Sequence, residues 1–454
     1  MTADETQTLG IQGQSYGTEA QAERETGSWI ETLRVLLCSG AGLLADGYDL
    51  SVINLAIALM GELYPVSMDS WGQGLAVSST MAGIIIGMVS FGAFADFAGR
   101  KCASICTALL TLLGAICSAC IIDNKRMDLA IQLACCRFFL GLGIGGEYPL
   151  SAALGSEATF SQSKCLVCSR SQTLVANMLF MNTGYVLQAV VFLILLSTSS
   201  LDMVWRIAFA CGGVPSFVVL ILRAWMPEPR SDTTQQRSLS ALRMDLSAEF
   251  QKKTSLMVSV CICWALFNVV SYSLMSFSHV ICEEIFPSDN RTVVQVVRRD
   301  AVYAMCLSMV GCLTYAVLFI KVDQEMSMKH VQLFGFSAGA LLLTFAAALA
   351  PTAMIAVQVT TYALITVACS LLGASTYFLP TQGFPASVRG TVVGLAAASG
   401  KMGALLGTAF FPYATSKFGL PMVIAMSSST MLVGAVVTFF CVPGQVQNSK
   451  SGNA

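Results

Sequence analysis

Charged residues are scarce along the whole chain. Only 11% of the 454 residues are Asp, Glu, Lys or Arg, whereas soluble globular proteins have about 25%. Hydrophobic residues make up 55% of the chain, and the mean hydropathy is +0.70. A deficit of this size over the full length excludes a soluble globular protein and indicates a polytopic membrane protein.

Signals for several other classes of protein are missing as well. The formal net charge is −1 and no basic stripe is present, which argues against a nucleic acid partner. The chain lacks the motif G-x-x-x-x-G-K-[ST] and a large soluble domain, so an ATPase is not indicated, and we expect no enzymatic activity. Cys165 and Cys168 have metal-like spacing, but no second pair follows, so we expect neither a metal nor a cofactor.

The apolar runs have the length that a bilayer requires. About 20 helical residues cover the roughly 30 Å hydrocarbon core, and such runs satisfy their backbone groups in lipid as helices. Twelve runs occur, near residues 32–60, 72–95, 102–122, 129–153, 172–197, 202–225, 254–280, 300–320, 331–350, 353–379, 390–415 and 420–442. The predicted fold class is an all-α membrane protein with twelve transmembrane helices.

A long polar connection after the sixth run divides the chain into two sets of six. The predicted regions are a cytoplasmic N-terminal tail at 1–31, an N-terminal six-helix half at 32–225, a cytoplasmic linker at 226–253, a C-terminal six-helix half at 254–442 and a cytoplasmic tail at 443–454. With the N-terminus inside, sixteen Lys and Arg, Arg223 among them, lie in cytoplasmic segments and six in external loops, which supports this orientation. We expect a monomer in the plasma membrane, with an organelle membrane as the alternative.

Ionisable residues inside the apolar runs mark candidate functional positions. A charged side chain at mid-helix costs about 2.5–3.5 kcal/mol on insertion scales, so it must face a cavity or a partner, or be neutral. Asp46 and Asp49 lie on one face of the first run, and Arg137 and Glu147 lie in the fourth. A spacing of ten residues puts Arg137 and Glu147 about 15 Å apart on neighbouring faces. Arg137 is therefore in a position to neutralise Asp46 or Asp49.

Two interpretations of these four residues are open. In the first, they form a proton or substrate pathway, because a carboxylate in a low-dielectric cavity can take up and release a proton near neutral pH. In the second, they form a buried ion-pair cluster that only fastens the first and fourth helices together.

The fourth run also carries backbone signals. Gly141, Gly143, Gly145 and Gly146 have the small-residue spacing that lets a helix press closely against a neighbour. Pro149 follows directly, and it predicts a break in the helical hydrogen bonds that exposes backbone groups to a cavity.

Several stretches together resemble one family of membrane proteins. The stretch GLGIGGEYPLSAALGSE (residues 141–157) resembles the fourth-span signature of the phosphate:proton symporter family of the major facilitator superfamily, G-I-G-x-G-G-D-Y-P-L-S-A…S-E. DGYDLSVINL resembles the family's first span, and PTQGFPASVRGT and AAASGKMGALLG resemble its spans 10 and 11. GAFADFAGRK resembles the superfamily loop G-x-x-x-D-R-x-G-R-K, with Phe97 where Arg is usual, and MPEPR resembles the superfamily's end of span 6. The resemblance implies the major facilitator fold, with two six-helix halves.

The resemblance also implies a phosphate site on the seventh span. The family places Trp, Asp and Tyr there at intervals of four residues on one face, and the same spacing here gives Trp264, Asn268 and Tyr272. Tyr148 is retained in the fourth span, and Asn182 stands where the family has Gln in the fifth. We predict that these five residues bind the substrate. Ordinary interhelical hydrogen bonding is the alternative role of the two amides.

Further departures from the family pattern concern charge. Glu147 replaces an Asp, Gly373 aligns with an Asn of span 10, and Thr107 stands where span 3 has a Glu. The seventh-span amide can donate a hydrogen bond without titrating, so an anion can still be held, whereas proton coupling through that position is lost. Coupling then falls to Asp46, Asp49 and Glu147, with Arg137 as their partner.

The remaining candidates are Lys401 in the eleventh run and a charged cluster near the inner membrane face. Lys401 is the sixth predicted substrate-binding residue, because it can give the cavity a positive charge for an anion; the alternative is that its side chain extends toward the interface. Asp96, Arg100 and Lys101 are interpreted as a cytoplasmic gate that holds the inner side closed. Glu157 is the candidate partner of this gate across the inner face.

Three functions fit these observations. The first is a secondary transporter that moves inorganic phosphate or a similar small oxyanion together with protons by alternating access. The second is a transporter of the same architecture for another solute, such as a sugar, an organic ion or a carboxylate. The third is a nutrient sensor that does not transport. The expected partners are a small phosphate-like anion, protons and the lipid bilayer.

Overall fold

The computed structural model describes most of the membrane-embedded chain. The described ranges are 36–37, 40–122, 127–158, 170–225, 239–287, 292–322, 327–349, 354–385 and 387–443. The predicted N-terminal tail, most of the C-terminal tail and residues 226–238 of the predicted linker lie outside them.

Within these ranges the chain forms thirteen helices. They are α1 (Gly40–Leu63), α2 (Ser70–Ala98), α3 (Arg100–Ala119), α4 (Leu129–Ala158), α5 (Arg170–Thr198), α6 (Leu201–Ala224), α7 (Leu239–Ser276), α8 (Ser278–Ile285), α9 (Val293–Lys321), α10 (Met328–Leu349), α11 (Ile355–Gly383), α12 (Arg389–Phe418) and α13 (Leu420–Cys441). All except the eight-residue α8 are long and apolar enough to cross a bilayer. The prediction of twelve transmembrane helices in an all-α fold is confirmed.

Helix boundaries follow from local chemistry at several turns. The Asp69 side chain accepts a hydrogen bond from the backbone N–H of Gly72 (2.8 Å) and so caps the start of α2. Gly99 and Gly419 separate α2 from α3 and α12 from α13, with φ values of 95° and 80°. This left-handed region favours glycine. At each of these two positions, the chain therefore changes direction between consecutive spans at a single residue.

The glycines of α4 bring its backbone against neighbouring helices. A Cβ on Gly141 or Gly145 would collide with the backbone of α2 at Thr80 and Ile84, and a Cβ on Gly143 would meet Thr111 of α3. The close packing predicted for these glycines is therefore present.

The predicted break at Pro149 is not present. The helix α4 continues through Pro149 to Ala158, so the proline does not open a stretch of backbone to a cavity. A transmembrane helix tolerates proline where neighbouring groups satisfy the freed backbone positions.

The part of the linker that is described is helical. Helix α7 begins at Leu239, inside the predicted linker, and changes direction at Lys253, whose φ and ψ are −129° and 31°. The Lys253 ammonium donates a hydrogen bond to the carbonyl of Gly383 at the end of α11 (2.7 Å). We call this side of the bundle, where α6 ends and the span of α7 begins, the linker end.

Contacts between the first six helices and the later ones follow two seams. Helix α2 packs along α12, and α5 packs along α9. In the first seam a Cβ on Gly394 would collide with the backbone of Met88, and in the second a Cβ on Gly311 would collide with the side chain of Asn182. These two seams position the side chains that lie between them.

The packing of α2 against α4 generates a stability prediction. Gly145→Ala places a methyl group against the backbone of Ile84, so we expect a loss of about 1–3 kcal/mol and a lower melting temperature of the detergent-solubilised protein. Gly74→Ala is the matched control, because no atom lies within 4 Å of its Cβ position. Equal melting temperatures for the two variants would contradict the packing account.

Candidate functional site

A central cavity of about 270 Å³ lies between the two seams. Helices α1, α2, α4, α5, α7, α9, α11 and α12 contribute to its wall, and α8 contributes at its far end. All six residues predicted to bind substrate line it; they are Tyr148, Asn182, Trp264, Asn268, Tyr272 and Lys401. The structure therefore brings together residues that are up to 253 positions apart in the sequence.

Lys401 supplies the positive charge of this cavity. Its side chain is only 2% exposed, and its ammonium donates a hydrogen bond to the hydroxyl of Tyr272. The nitrogen lies 4.0 Å from the ring centroid of Tyr272 and 5.5 Å from that of Tyr148. Cation–π attraction and a hydrogen bond thus hold Lys401 in the cavity, and its side chain does not extend to the membrane interface.

The polar side chains around Lys401 are neutral. Trp264 and Asn268 both lie against Gly400, the residue before Lys401, where any Cβ would touch them. The Tyr148 hydroxyl is 3.0 Å from the sulfur of Met181. These groups offer indole N–H, amide and hydroxyl donors beside one ammonium, which is a donor set suited to an anion.

The cavity wall also contains residues that the sequence reasoning missed. Tyr185, Gln188, Asp300, Tyr303 and Tyr315 all line the cavity. Polar residues at intervals along the fifth and eighth apolar runs were the available signal, but a single sequence does not tell which face of a helix turns inward. Asp300 is held by Arg299 at 2.9 Å.

The four predicted proton-coupling residues lie outside this cavity. Asp46, Asp49 and Arg137 have 0% exposure and Glu147 has 2%, and none of the four is among the residues that line the cavity. The carboxylates of Asp46 and Asp49 have no hydrogen-bond partner among the described residues. Both side chains are fully buried, and Asp46 is close enough to Lys401 of α12 for electrostatic attraction.

Arg137 forms a hydrogen bond with the backbone of Asp49 and not with its side chain. One guanidinium nitrogen, Nη1, donates to the backbone carbonyl of Asp49 (3.4 Å) rather than to its carboxylate. The guanidinium carbon lies 4.0 Å from the ring centroid of Phe209, so the cation is partly stabilised by an aromatic face. The Nε and Nη2 groups have no acceptor in the described part of the chain. The expected carboxylate pairing of Arg137 is therefore not formed in this conformation.

Glu147 is neutralised by a residue that the sequence reasoning assigned to the cytoplasmic side. Arg223 near the end of α6 forms two hydrogen bonds of 2.6 Å with the Glu147 carboxylate. Thr107 of α3 donates a third, at 2.5 Å, and both charged side chains are buried. This bidentate pair joins α3, α4 and α6. The lone cation inside the apolar run VVLILRAW was the signal that could have revealed it.

The predicted gate residues lie at the linker end. Asp96 pairs with Arg100, and its second carboxylate oxygen accepts hydrogen bonds from the backbone N–H (2.8 Å) and the hydroxyl (2.7 Å) of Thr391. Asp96 therefore ties α2 to the start of α12. No ion pair is described for Lys101, and the side chain of Glu157 lies outside the described part of the structure.

Comparisons with known proteins agree with this fold. The sequence model of a family described as "Sugar (and other) transporter" matches residues 35–244. The chain also resembles the solved structure of the proton:xylose symporter XylE bound to 6-bromo-6-deoxy-D-glucose. The TM-score is 0.72 at 17% identity, over 92% of this chain and 97% of the other. An inward-open structure of XylE from E. coli gives a TM-score of 0.66 at 16% identity, over 92% and 98%. The protein is thus a multi-pass integral membrane protein with the major facilitator fold.

Several proteins with similar sequences have names that state a transported solute. The chain is 27% identical to "Inorganic phosphate transporter PT2" of Toxoplasma gondii, over 90% of this chain and 71% of that protein. It is also 27% identical to "Probable inorganic phosphate transporter 1-6" of Arabidopsis thaliana, over 92% and 94%. "Glycerophosphoinositol permease 1" of Candida albicans is 23% identical, over 94% and 82%. The resemblance to the phosphate:proton symporter family is confirmed.

The buried ion pair between Glu147 and Arg223 leads to a prediction about the stability of the protein. Arg223→Gln leaves a buried carboxylate without its cation, so we expect a loss of about 3–5 kcal/mol and a clearly lower melting temperature. Glu147→Gln combined with Arg223→Gln should cost less than the sum of the single changes. Arg243→Gln, at an exposed position, is the control and should have little effect. Additive losses would show that the two side chains do not interact.

Proposed function

We propose that the protein is a secondary transporter of inorganic phosphate or a similar small oxyanion, coupled to protons and working by alternating access. The observation that carries the proposal is the ammonium of Lys401, buried in the central cavity beside hydroxyl and amide donors. The names of the relatives from Toxoplasma gondii and Arabidopsis thaliana support phosphate as the anion.

The electrostatics of the cavity favour an anion over a neutral solute or a cation. Asp300 is the one carboxylate among the described residues that line it, and Arg299 binds that carboxylate through Nη2 (2.9 Å) and Nε (3.1 Å). Lys401 therefore has no carboxylate partner in the cavity wall. A phosphate oxygen placed beside it would gain a charge-assisted hydrogen bond.

Proton coupling is proposed for Asp46 and Asp49, which are not among the residues that line the cavity. An ionised carboxylate without a donor is strongly disfavoured in a low-dielectric interior, so we propose that both acids bind a proton in this conformation. When the helices rearrange and water reaches Asp49, the unpaired Nε and Nη2 of Arg137 are available to bind the carboxylate once the proton has left. The affinity of Asp49 for a proton then differs between the two arrangements, and this difference couples proton binding to the conformational equilibrium.

Glu147 suits this role less well than the two aspartates. Its carboxylate already has three short hydrogen bonds, two of them from Arg223. We propose that Glu147 fixes the packing of α4, and that the aspartates carry the protons.

The conformation supports alternating access. At the linker end, Asp96 bonds Thr391, and the Asn177 side chain reaches the hydroxyl of Tyr377 (3.5 Å). These contacts join the first six helices to the later ones on that side. The cavity instead continues from Lys401 toward Asp300 and Tyr303, near the start of α9. We propose that the opposite state breaks the Asp96 contacts and opens the linker end.

The cavity also supports the second candidate, transport of a larger organic solute. Its wall runs from Lys401 to Ser278 of α8, which is more space than one small anion fills. The relative from Candida albicans is named for an organic phosphate. A sensor without transport has no specific observation in its favour.

Removal of the cavity cation should weaken anion binding. Because a hydrogen bond to a charged group contributes about 1.5–3 kcal/mol, Lys401→Gln should raise the dissociation constant for phosphate about 10- to 100-fold. Isothermal titration of the purified protein measures this. Lys417→Gln on the same helix is the control, because Lys417 lies at the exposed end of α12. Unchanged binding in the Lys401 variant would refute an anion site at this position.

Removal of the proposed proton carrier should uncouple transport. In proteoliposomes with an imposed pH gradient, Asp49→Asn should abolish accumulation of labelled phosphate but leave phosphate exchange intact, because the amide cannot release a proton. Asp128→Asn is the matched control, since Asp128 lies at the start of α4 and accepts a backbone hydrogen bond that Asn can also accept. If accumulation survives in the Asp49 variant, that acid has a structural role only.

A further inference from the structure

The cavity contains a second set of polar groups, separate from those around Lys401. Gln188 of α5 is 3% exposed and Tyr303 of α9 is 7% exposed, and both line the cavity. The Gln188 Nε2, the Tyr303 hydroxyl and the hydroxyl of Ser271 on α7 are buried and have no hydrogen-bond partner among the described residues. Buried polar atoms are nearly always hydrogen-bonded, so three unsatisfied groups on the wall of one cavity point to a ligand.

The helix geometry places Gln188 and Tyr303 away from Lys401, which lies beside Tyr148 and so near Met181, the neighbour of Asn182. Asn182 of α5 lies against Gly311 of the antiparallel α9. Gln188 is six residues further along α5, about 9 Å from Asn182, and Tyr303 is eight residues before Gly311, about 12 Å away. Because the two helices run in opposite directions, both displacements point away from the linker end. Gln188 and Tyr303 therefore lie at a similar depth, on the far side of Asn182.

The charge of the cavity wall also changes with distance from the linker end. Lys401 provides a cation at one end, whereas Asp300, one turn before Tyr303, provides a carboxylate at the other and shares Arg299 with Glu283. Lys401 is the one cation among the described residues that line the cavity, so a second anionic group near Gln188 and Tyr303 would meet no cationic wall residue. Neutral hydroxyl groups, which both donate and accept, match an amide N–H, two hydroxyls and a carboxylate oxygen.

We propose that the solute is a phosphate monoester of a small polyol, with its phosphate at Lys401 and its hydroxyl groups at Gln188, Ser271 and Tyr303. This inference rests on the proposed function, since it keeps the anion at Lys401, and it adds the chemical class of the solute. Leu307, an apolar wall residue halfway between Tyr303 and Gly311 on α9, would contact the carbon chain between the two polar sets. Bare phosphate occupies the Lys401 end alone.

The inference is tested by comparing two esters that carry the same phosphate. Methyl phosphate has no hydroxyl on its alcohol part, whereas glycerol 3-phosphate has two. Titrations of the purified full-length protein with inorganic phosphate, methyl phosphate and glycerol 3-phosphate give three dissociation constants. Because each added hydrogen bond changes affinity about fivefold, we expect glycerol 3-phosphate to bind at least about fivefold more tightly than methyl phosphate.

Variants of the cavity residues test whether the preference for glycerol 3-phosphate over methyl phosphate arises at the proposed subsite. Tyr303→Phe and Gln188→Leu should each bring the two ester affinities closer together, while the affinity for methyl phosphate stays unchanged and shows that the variant is folded. Tyr413→Phe is the control for the loss of a tyrosine hydroxyl, because Tyr413 is 57% exposed on α12 and lies outside the cavity wall.

The outcomes separate this inference from the proposed function. If phosphate and methyl phosphate bind but glycerol 3-phosphate has no advantage, the polyol subsite is wrong and the anion site remains. If the Tyr303 and Gln188 variants weaken both esters equally, the subsite is also overturned. If none of the three compounds binds, the proposed function itself fails, and the subsite fails with it.

Discussion

Burial of charge in a low-dielectric interior is the constraint on which the rest of this structure depends. Among the described transmembrane residues, six Asp, Glu, Lys and Arg side chains are almost completely buried: Asp46, Asp49, Arg137, Glu147, Arg223 and Lys401. An uncompensated charge at such a depth costs several kcal/mol, so each group needs a partner, an aromatic face or a proton. The compensation differs from one group to the next, and from these differences we infer separate roles for the groups.

The pair between Glu147 and Arg223 is satisfied within the protein, which makes it a fastening of three helices. The hydrogen bond and the aromatic contacts of Lys401 are with neutral groups, so an anion would improve its environment. Asp46 and Asp49 have no donor in the described chain, which fits groups that exchange protons. We therefore propose that structure, substrate binding and coupling are divided among charges that composition alone would treat alike.

Much of the fold could be predicted from the sequence, because a run of about 20 apolar residues has few alternatives in a bilayer. Five of the six predicted substrate-binding residues were selected through the family resemblance, and Lys401 was selected as a charge inside an apolar run; all six line the cavity. The rotation of each helix about its axis was not available, so Arg137 was expected to bind a carboxylate, and Arg223 was counted with the cytoplasmic cations because it lies near a helix end. The helix break predicted at Pro149 was wrong, since α4 continues through this residue.

The most direct measurement is a crystal structure of the protein soaked with tungstate, a tetrahedral oxyanion whose metal gives a strong anomalous signal. The account predicts an anomalous peak in the central cavity, with its oxygens within hydrogen-bonding distance of the Lys401 ammonium and the Tyr272 hydroxyl. A peak at another cation, such as Arg137, together with an unoccupied Lys401 end of the cavity, would contradict it.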